Sequence, residues 1–216
     1  DVEAALPYLV NSGIQNAGQT CSAASRILIQ KSVFNKVKDL MGKKYSTLRV
    51  GPAIDDLDLG PLISNRQKEI VLNFLEVGKN LKVVAKGSIS QNAPETGFYI
   101  QPTLFEDVPY NHKLAQEEIF GPIQVLIPFD TEEEAIHIAN STSFGLVASI
   151  WTNDGARQMR MAKKLKCGQV FINNYGAGGA VELPFGGVGK SGHGREKGFE
   201  ALYGFSTLKT IAAFHG

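Results

Sequence analysis

The sequence predicts an α/β fold, a mostly parallel sheet with flanking helices. Three observations predict it. Strand-like and helix-like segments alternate along the chain, the pattern of successive βαβ units. The run "IQVLIPF" at 123–129 is apolar at almost every position, as a strand covered on both faces requires. Two helix starts carry the capping-box spacing, Ser64 with Gln67 and Thr131 with Glu134.

The elements follow in order. Ala4, Leu6, Leu9 and Val10 suggest an apolar helix face over 1–11, with Pro7 expected to limit the helix to its first turns. "RILIQ" at 26–30 reads as a short strand. Ser32 then reads as the N-cap of a helix through Phe34, Val37, Leu40 and Met41. A polar loop, "VGPAIDDLDLGPLIS", leads to Ser64 and a helix with Ile70, Val71, Phe74 and Leu75 on one side. "KVVAKG" is a strand, and "GFYIQPTLFEDV" another with a Pro break. After 123–129 comes a helix from Thr131 carrying Ala135, Ile138 and Ala139. Then follow a strand at 146–152, a basic-faced helix at 154–166 and a strand at 168–174. A Gly-rich loop, a helix near "REKGFEALYGF" and a last strand, "TLKTIAAF" at 207–214, complete the chain.

With 216 residues, 43% of them hydrophobic, the chain can bury a real core. The formal net charge is +1, which gives no reason to expect nucleic acid or an anionic membrane as a partner. The apolar runs are too short to cross a bilayer. Two cysteines, Cys21 and Cys167, make no disulfide framework and suit a reducing compartment. The chain begins without methionine and enters a helix pattern at once, so it is expected to be part of a longer polypeptide.

Cys21 lies in "NAGQTCSAASR", 16–26, among small polar neighbours rather than branched apolar ones. It reads either as a small packing residue or as a thiol with room beside it, and the stretch alone leaves both open. Gly187, Gly189 and Gly192 satisfy G-x-G-x-x-G, but no strand runs directly into them and no acidic residue closes a following strand. Those glycines, with "GAGG" at 176–179, are expected instead to serve positive φ angles or close backbone contact. His112, His137, His193 and His215 form no metal-ligand spacing, and no metal site is expected; His193, beside the Gly-rich loop, is a candidate site residue. In "QEEIFGP" at 116–122, two adjacent carboxylates enter a buried strand. They form either a solvated turn or a pair with one member facing a cleft.

Taken in order, several motifs resemble the catalytic half of the NAD(P)-dependent aldehyde dehydrogenase superfamily. They are "NAGQTC", "GPLIS", "GFYIQPTLF", "EEIFGP", "ANSTSFGLVASIWT", "INN", "PFGGVGKSGHGRE" and the "TLKTI" tail. One departure is Ile14, where the family often carries an aromatic residue.

The resemblance implies oxidation of an aldehyde to a carboxylic acid with NAD or NADP, through a thiohemiacetal and then a thioester on Cys21. A thiol of pKa ~8.5 is only slightly ionised at neutral pH, so a base or a positive local potential has to activate it. The Cys21 backbone N–H is a candidate oxyanion donor. The resemblance further implies that Glu118 binds the nicotinamide ribose and Phe120 packs near the ring, with Glu117 left to solvent. Phe185 is expected to line the aldehyde tunnel, Thr20 and Ser22 to touch substrate beside Cys21, and Glu196 to act as a buried proton relay. Residues 1–205 would be the catalytic domain and 206–216 an oligomerisation strand and tail, in a homodimer or homotetramer. The general base, the oxyanion asparagine and most of the coenzyme domain would lie upstream, so the 216-residue chain alone is expected to be inactive. The expected location is cytoplasmic, with the mitochondrial matrix left open. Two alternatives stand beside this: a cysteine acyl hydrolase or acyltransferase, and a non-enzymatic assembly domain.

Overall fold

The computed structural model describes residues 1–176 and 180–216. Its main sheet has four strands. They are β1 (Arg26–Gln30), β3 (Lys82–Lys86), β5 (Thr103–Glu106) and β6 (Ile123–Phe129), in the order β1-β6-β5-β3. β1 and β5 both run parallel to β6, and β3 joins the edge antiparallel to β5. No helix lies between β3 and β5, so the chain lacks the crossover that a parallel pairing needs. Two short parallel pairs stand apart: β2 (Arg49–Val50) with β4 (Ser88–Ile89), and β7 (Val147–Ile150) with β8 (Gln169–Ile172). The expected mostly parallel α/β architecture is what forms.

β6 matches its predicted span, and Ile123–Ile127 are all buried, so both faces are covered. The helices are α1 (Val2–Ile14), α2 (Lys31–Thr47), α3 (Asn65–Val77), α4 (Lys113–Gln116), α5 (Glu132–Ala139), α6 (Gly155–Lys164) and α7 (Ala201–Gly204). α1 and α2 pack on each other and on the sheet.

Several boundaries differ from the sequence expectation. α1 runs through Pro7 to Ile14. Proline costs only the bond to the Glu3 carbonyl, one turn from the helix start on an exposed stretch, and burial of Val10 and Ile14 outweighs it. α2 begins at Lys31 with Gln30 at the cap position, so Ser32 sits inside the helix and caps nothing. The loop after α2 contains the strand β2 and a 3₁₀ turn at Ala53–Asp55. Of the 97–108 stretch, only Thr103–Glu106 is strand. Residues 207–214 form no strand among the described residues: no neighbouring strand completes a ladder, and Leu208 and Phe214 are 99% and 95% exposed.

Gln124, the second residue of β6, is fully buried. Its amide nitrogen donates to the Leu9 carbonyl of α1 at 2.9 Å and to the Ala24 carbonyl at 2.6 Å. Its carbonyl accepts from the Tyr45 hydroxyl of α2 at 2.5 Å. Burial pushes the Tyr45 pKa above the ordinary tyrosine range, so the phenol remains a donor. Gly13 makes this approach possible, because a Cβ there would lie 2.1 Å from the Gln124 side chain. Gln124→Leu would orphan the buried hydroxyl and two carbonyl contacts, a loss of about 2–4 kcal/mol expected in urea unfolding. Adding Tyr45→Phe should restore part of that loss, and an unchanged midpoint for the single variant would contradict this account.

Candidate active site

Cys21 leaves α1 through a strained loop. Asn16 and Ala17 take left-handed φ angles of 52° and 54°, and Gly18 follows at 76°. Such angles are costly for residues with a Cβ, so the surroundings have to hold them. Asn16 Nδ2 donates to the Gln19 carbonyl at 3.1 Å, and Gln19 Nε2 returns a bond to the Asn16 carbonyl at 3.1 Å. Thr20 Oγ1 donates to the Gln15 carbonyl at 3.4 Å. The chain then makes a β-turn over 20–23, closed by the Ala23 N–H on the Thr20 carbonyl at 2.9 Å. Cys21 occupies the second position of that turn and is exposed.

The "EEIFGP" segment enters β6 beside this loop. A Cβ on Gly18 would lie 2.2 Å from the Gly121 carbonyl group, so the two backbones touch at Gly18. Phe120 has φ 55° and is 38% exposed, an unusual state for a bulky residue and one typical of functional sites. Gln67 explains how it is held. Ser64 Oγ accepts the Gln67 N–H at 3.2 Å, as the capping box predicts. The Gln67 amide does not turn back to Ser64; it donates to the carbonyls of Ile119 at 3.1 Å and Phe120 at 2.9 Å. Gln19 Oε1 accepts the Ile63 N–H at 2.9 Å, which ties the cysteine loop to the same helix start.

A cleft of about 530 Å³ joins these parts, and Thr20, Cys21, Ser22, Glu118 and Phe120 all line it. It continues along the edge of β1 that pairs with no strand among the described residues, with β7 on its other wall. The paired glutamates part ways. Glu117 lies 3.8 Å from Lys113 Nζ, whereas the exposed Glu118 carboxylate has no hydrogen bond or ion pair among the described residues. Arg26, where the cysteine segment enters β1, donates to the Ile138 carbonyl at 2.6 Å, and burial pushes its pKa down to about 10.

Other expected site residues lie differently. Ser22 lines the cleft but is only 7% exposed, and its carbonyl and hydroxyl are both engaged by Tyr175; a buried hydroxyl needs a partner, and this one finds it within the protein. Phe185 and Glu196 pair with each other through reciprocal backbone bonds of 2.6 and 2.7 Å, and neither lines the cleft. Glu196 is exposed rather than buried, as suits a carboxylate with no charged partner among the described residues. His193 is exposed and outside the cleft lining. Gly189 and Gly192 adopt φ of 60° and 100°, the positive angles expected of that loop. Of "GAGG", residues 177–179 lie outside the described residues. Sequence reasoning missed Tyr175 and the outward reach of Gln67; only the capping-box spacing drew notice to Gln67 at all.

Gly18→Ala would force a Cβ into the Gly121 carbonyl in a left-handed backbone, and a loss of about 3 kcal/mol or more is expected in thermal unfolding. A wild-type midpoint would show that the two loops do not touch there. The cysteines should also separate chemically. Cys167 is half-buried, donates to the Gln169 carbonyl at 3.2 Å, and has its thiol pKa pushed up by burial. At pH 8, iodoacetamide should label Cys21 at least about tenfold faster than Cys167, the gap narrowing as pH rises. Equal rates in peptide mass spectrometry would contradict this.

The aldehyde dehydrogenase family model matches residues 1–211. A betaine aldehyde dehydrogenase of Agrobacterium fabrum is 37% identical over 214 residues, covering 98% of this chain and 43% of the relative. The alpha-ketoglutaric semialdehyde dehydrogenase of Bacillus subtilis is 34% identical over 216 residues, covering 98% and 44%. Among solved structures, a putative aldehyde dehydrogenase from Burkholderia cenocepacia superposes with a TM-score of 0.96 at 57% identity, covering 100% of this chain and 46% of that one. The NAD+ complex of an aldehyde dehydrogenase from Bacillus cereus gives 0.90 at 37% identity, covering 98% and 43%. The chain thus spans less than half the length of the curated relatives it matches. Nothing in these comparisons supports the acyl hydrolase alternative. By its matched residues and its fold, the chain belongs to the aldehyde dehydrogenase family.

Proposed function

We propose that this chain supplies the nucleophile and part of the coenzyme site for NAD(P)-dependent oxidation of an aldehyde to a carboxylic acid. The observation that carries the reading is the shared cleft: an exposed thiol on a turn faces the same space as a strained aromatic and a carboxylate that has no partner among the described residues. A nicotinamide coenzyme fits these groups. The Glu118 carboxylate is free to accept from ribose hydroxyls, and the Phe120 ring is partly uncovered on the cleft wall.

Cys21 acts as the thiolate. Its sulfur adds to the aldehyde carbonyl to form a thiohemiacetal, with Thr20 and the turn backbone shaping the space beside it. When bound, the coenzyme supplies the hydride acceptor. Water then attacks the resulting Cys21 thioester, releasing the acid and restoring the thiol. Glu118 and Phe120 would hold the coenzyme, while Gln67 fixes the backbone at Ile119 and Phe120. Phe185 and Glu196 lie outside this cleft. The exposed apolar tail, 206–216, is read as the contact between copies in a dimer or tetramer, and residues 1–205 as the catalytic domain. The two cysteines outside any disulfide support a cytoplasmic location.

The test is steady-state kinetics of the full-length protein over a panel of small aldehydes with NAD+ and NADP+. Cys21→Ser should lower turnover by at least about a thousandfold. Glu118→Gln should raise the coenzyme KM by about tenfold while the aldehyde KM stays near its original value. Retained oxidation in the Cys21 variant would overturn the reading, as would an E118Q effect confined to the aldehyde.

A further inference from the structure

We propose that Tyr175 is a positioning residue for the nucleophile, clamping the turn that carries Cys21 through a hydroxyl shared with Ser22. The proposal rests on the reading of Cys21 as the nucleophile. The turn over 20–23 is tied down at both ends. On one side, Asn16 and Gln19 lock the loop that precedes it. On the other, the Ala24 N–H donates to the Ser12 carbonyl at 3.1 Å, and the Ala24 carbonyl accepts from Gln124. Cys21 and Ser22 form the tip. Among the described residues, the hydrogen bonds that reach this tip from elsewhere in the chain come from Tyr175, 153 positions from Ser22.

The geometry of that contact is specific. Tyr175 Oη donates its one proton to the Ser22 carbonyl at 3.2 Å. With that proton committed, the second contact, 3.4 Å to Ser22 Oγ, has the serine as donor and the phenol oxygen as acceptor. One hydroxyl therefore engages both the main chain and the side chain of the residue that follows the nucleophile. Tyr175 is itself fixed. Its N–H donates to Asn174 Oδ1 at 2.8 Å, and the Asn174 carbonyl accepts from Ser149 Oγ of β7. One residue earlier, the Asn173 side chain exchanges two bonds with the Thr152 backbone at 3.0 Å each. The clamp is thus mounted on the β7–β8 pair, an element separate from the main sheet that carries Cys21. Misplacing a nucleophile by a fraction of an ångström slows attack without abolishing binding, which is the signature of a positioning role.

Tyr175→Phe keeps the ring and removes the hydroxyl, so it tests the clamp with little risk to the fold. In the full-length protein, the first-turnover burst of reduced coenzyme should slow about fivefold, the worth of a neutral hydrogen bond, while the coenzyme KM stays within twofold. Ser22→Ala should slow the burst similarly, and the double variant no further than either alone. Hydrogen exchange at the Ala23 amide, which closes the turn, should quicken about fivefold in Tyr175→Phe with the unfolding midpoint unchanged. This last readout needs no activity, so it decides the clamp even if the chain proves not to oxidise aldehydes. In that case the burst would be absent from wild type too. An unchanged Ala23 exchange rate, or fully additive effects of the two variants, would overturn the proposal.

Discussion

The structure depends on one buried amide. Gln124 stands near the start of the most apolar strand of the chain, fully buried, where an unsatisfied polar group is expensive and a satisfied one fixes its neighbours. Its three partners come from α1, from the segment just after Cys21, and from α2. A Leu at this position would fill the core equally well and would leave the exit of the cysteine loop unspecified. The amide converts a hydrophobic layer into a jig: it sets where α1 ends against the sheet and where the chain re-enters β1. Gly13 is the complementary adaptation, since any side chain there would occupy the space of the amide.

From that anchor the site is assembled backbone against backbone. Gly18 lies on Gly121, so the loop bearing the thiol and the loop bearing Glu118 and Phe120 share a wall with no side chain between them. Left-handed angles at Asn16, Ala17 and Phe120 together cost a few kcal/mol, on the order of 1–2 each. They persist because Asn16 and Gln19 bond each other and Gln67 holds the carbonyls of residues 119 and 120. Strain of this kind placed on both sides of one cleft suits a site that must present a thiol and an aromatic face in fixed relation.

Much of the fold was legible because burial and periodicity coincide. β6 could be read to the residue, since a strand covered on both faces is apolar at almost every position. The caps Ser64 and Thr131 were legible because side chain and amide lie three residues apart. What was not legible depends on partners distant in sequence. Nothing near Gln67 says that its amide passes over its own cap to residues 119 and 120. Nothing near Tyr175 says that it meets Ser22. The 207–214 segment has a strand's composition, but a strand exists only where another edge pairs with it. Cys21 itself was visible as an odd placement, and only the ordered motifs around it suggested a chemistry. Glu196 shows the reverse failure: its motif carries an expectation of burial that the local bridge to Phe185 does not provide.

If coenzyme-dependent oxidation passes through Cys21 in a cleft shared with Glu118 and Phe120, as proposed, its covalent intermediate can be trapped. Intact-protein and peptide mass spectrometry of the full-length protein, quenched in acid during turnover, tests it most directly. An acyl adduct is expected on the peptide containing Cys21, with an added mass equal to that of the aldehyde less two hydrogens. It should form only when the nicotinamide coenzyme is present. An adduct on Cys167, an adduct that forms without coenzyme, or oxidation with Cys21 blocked by alkylation would contradict it.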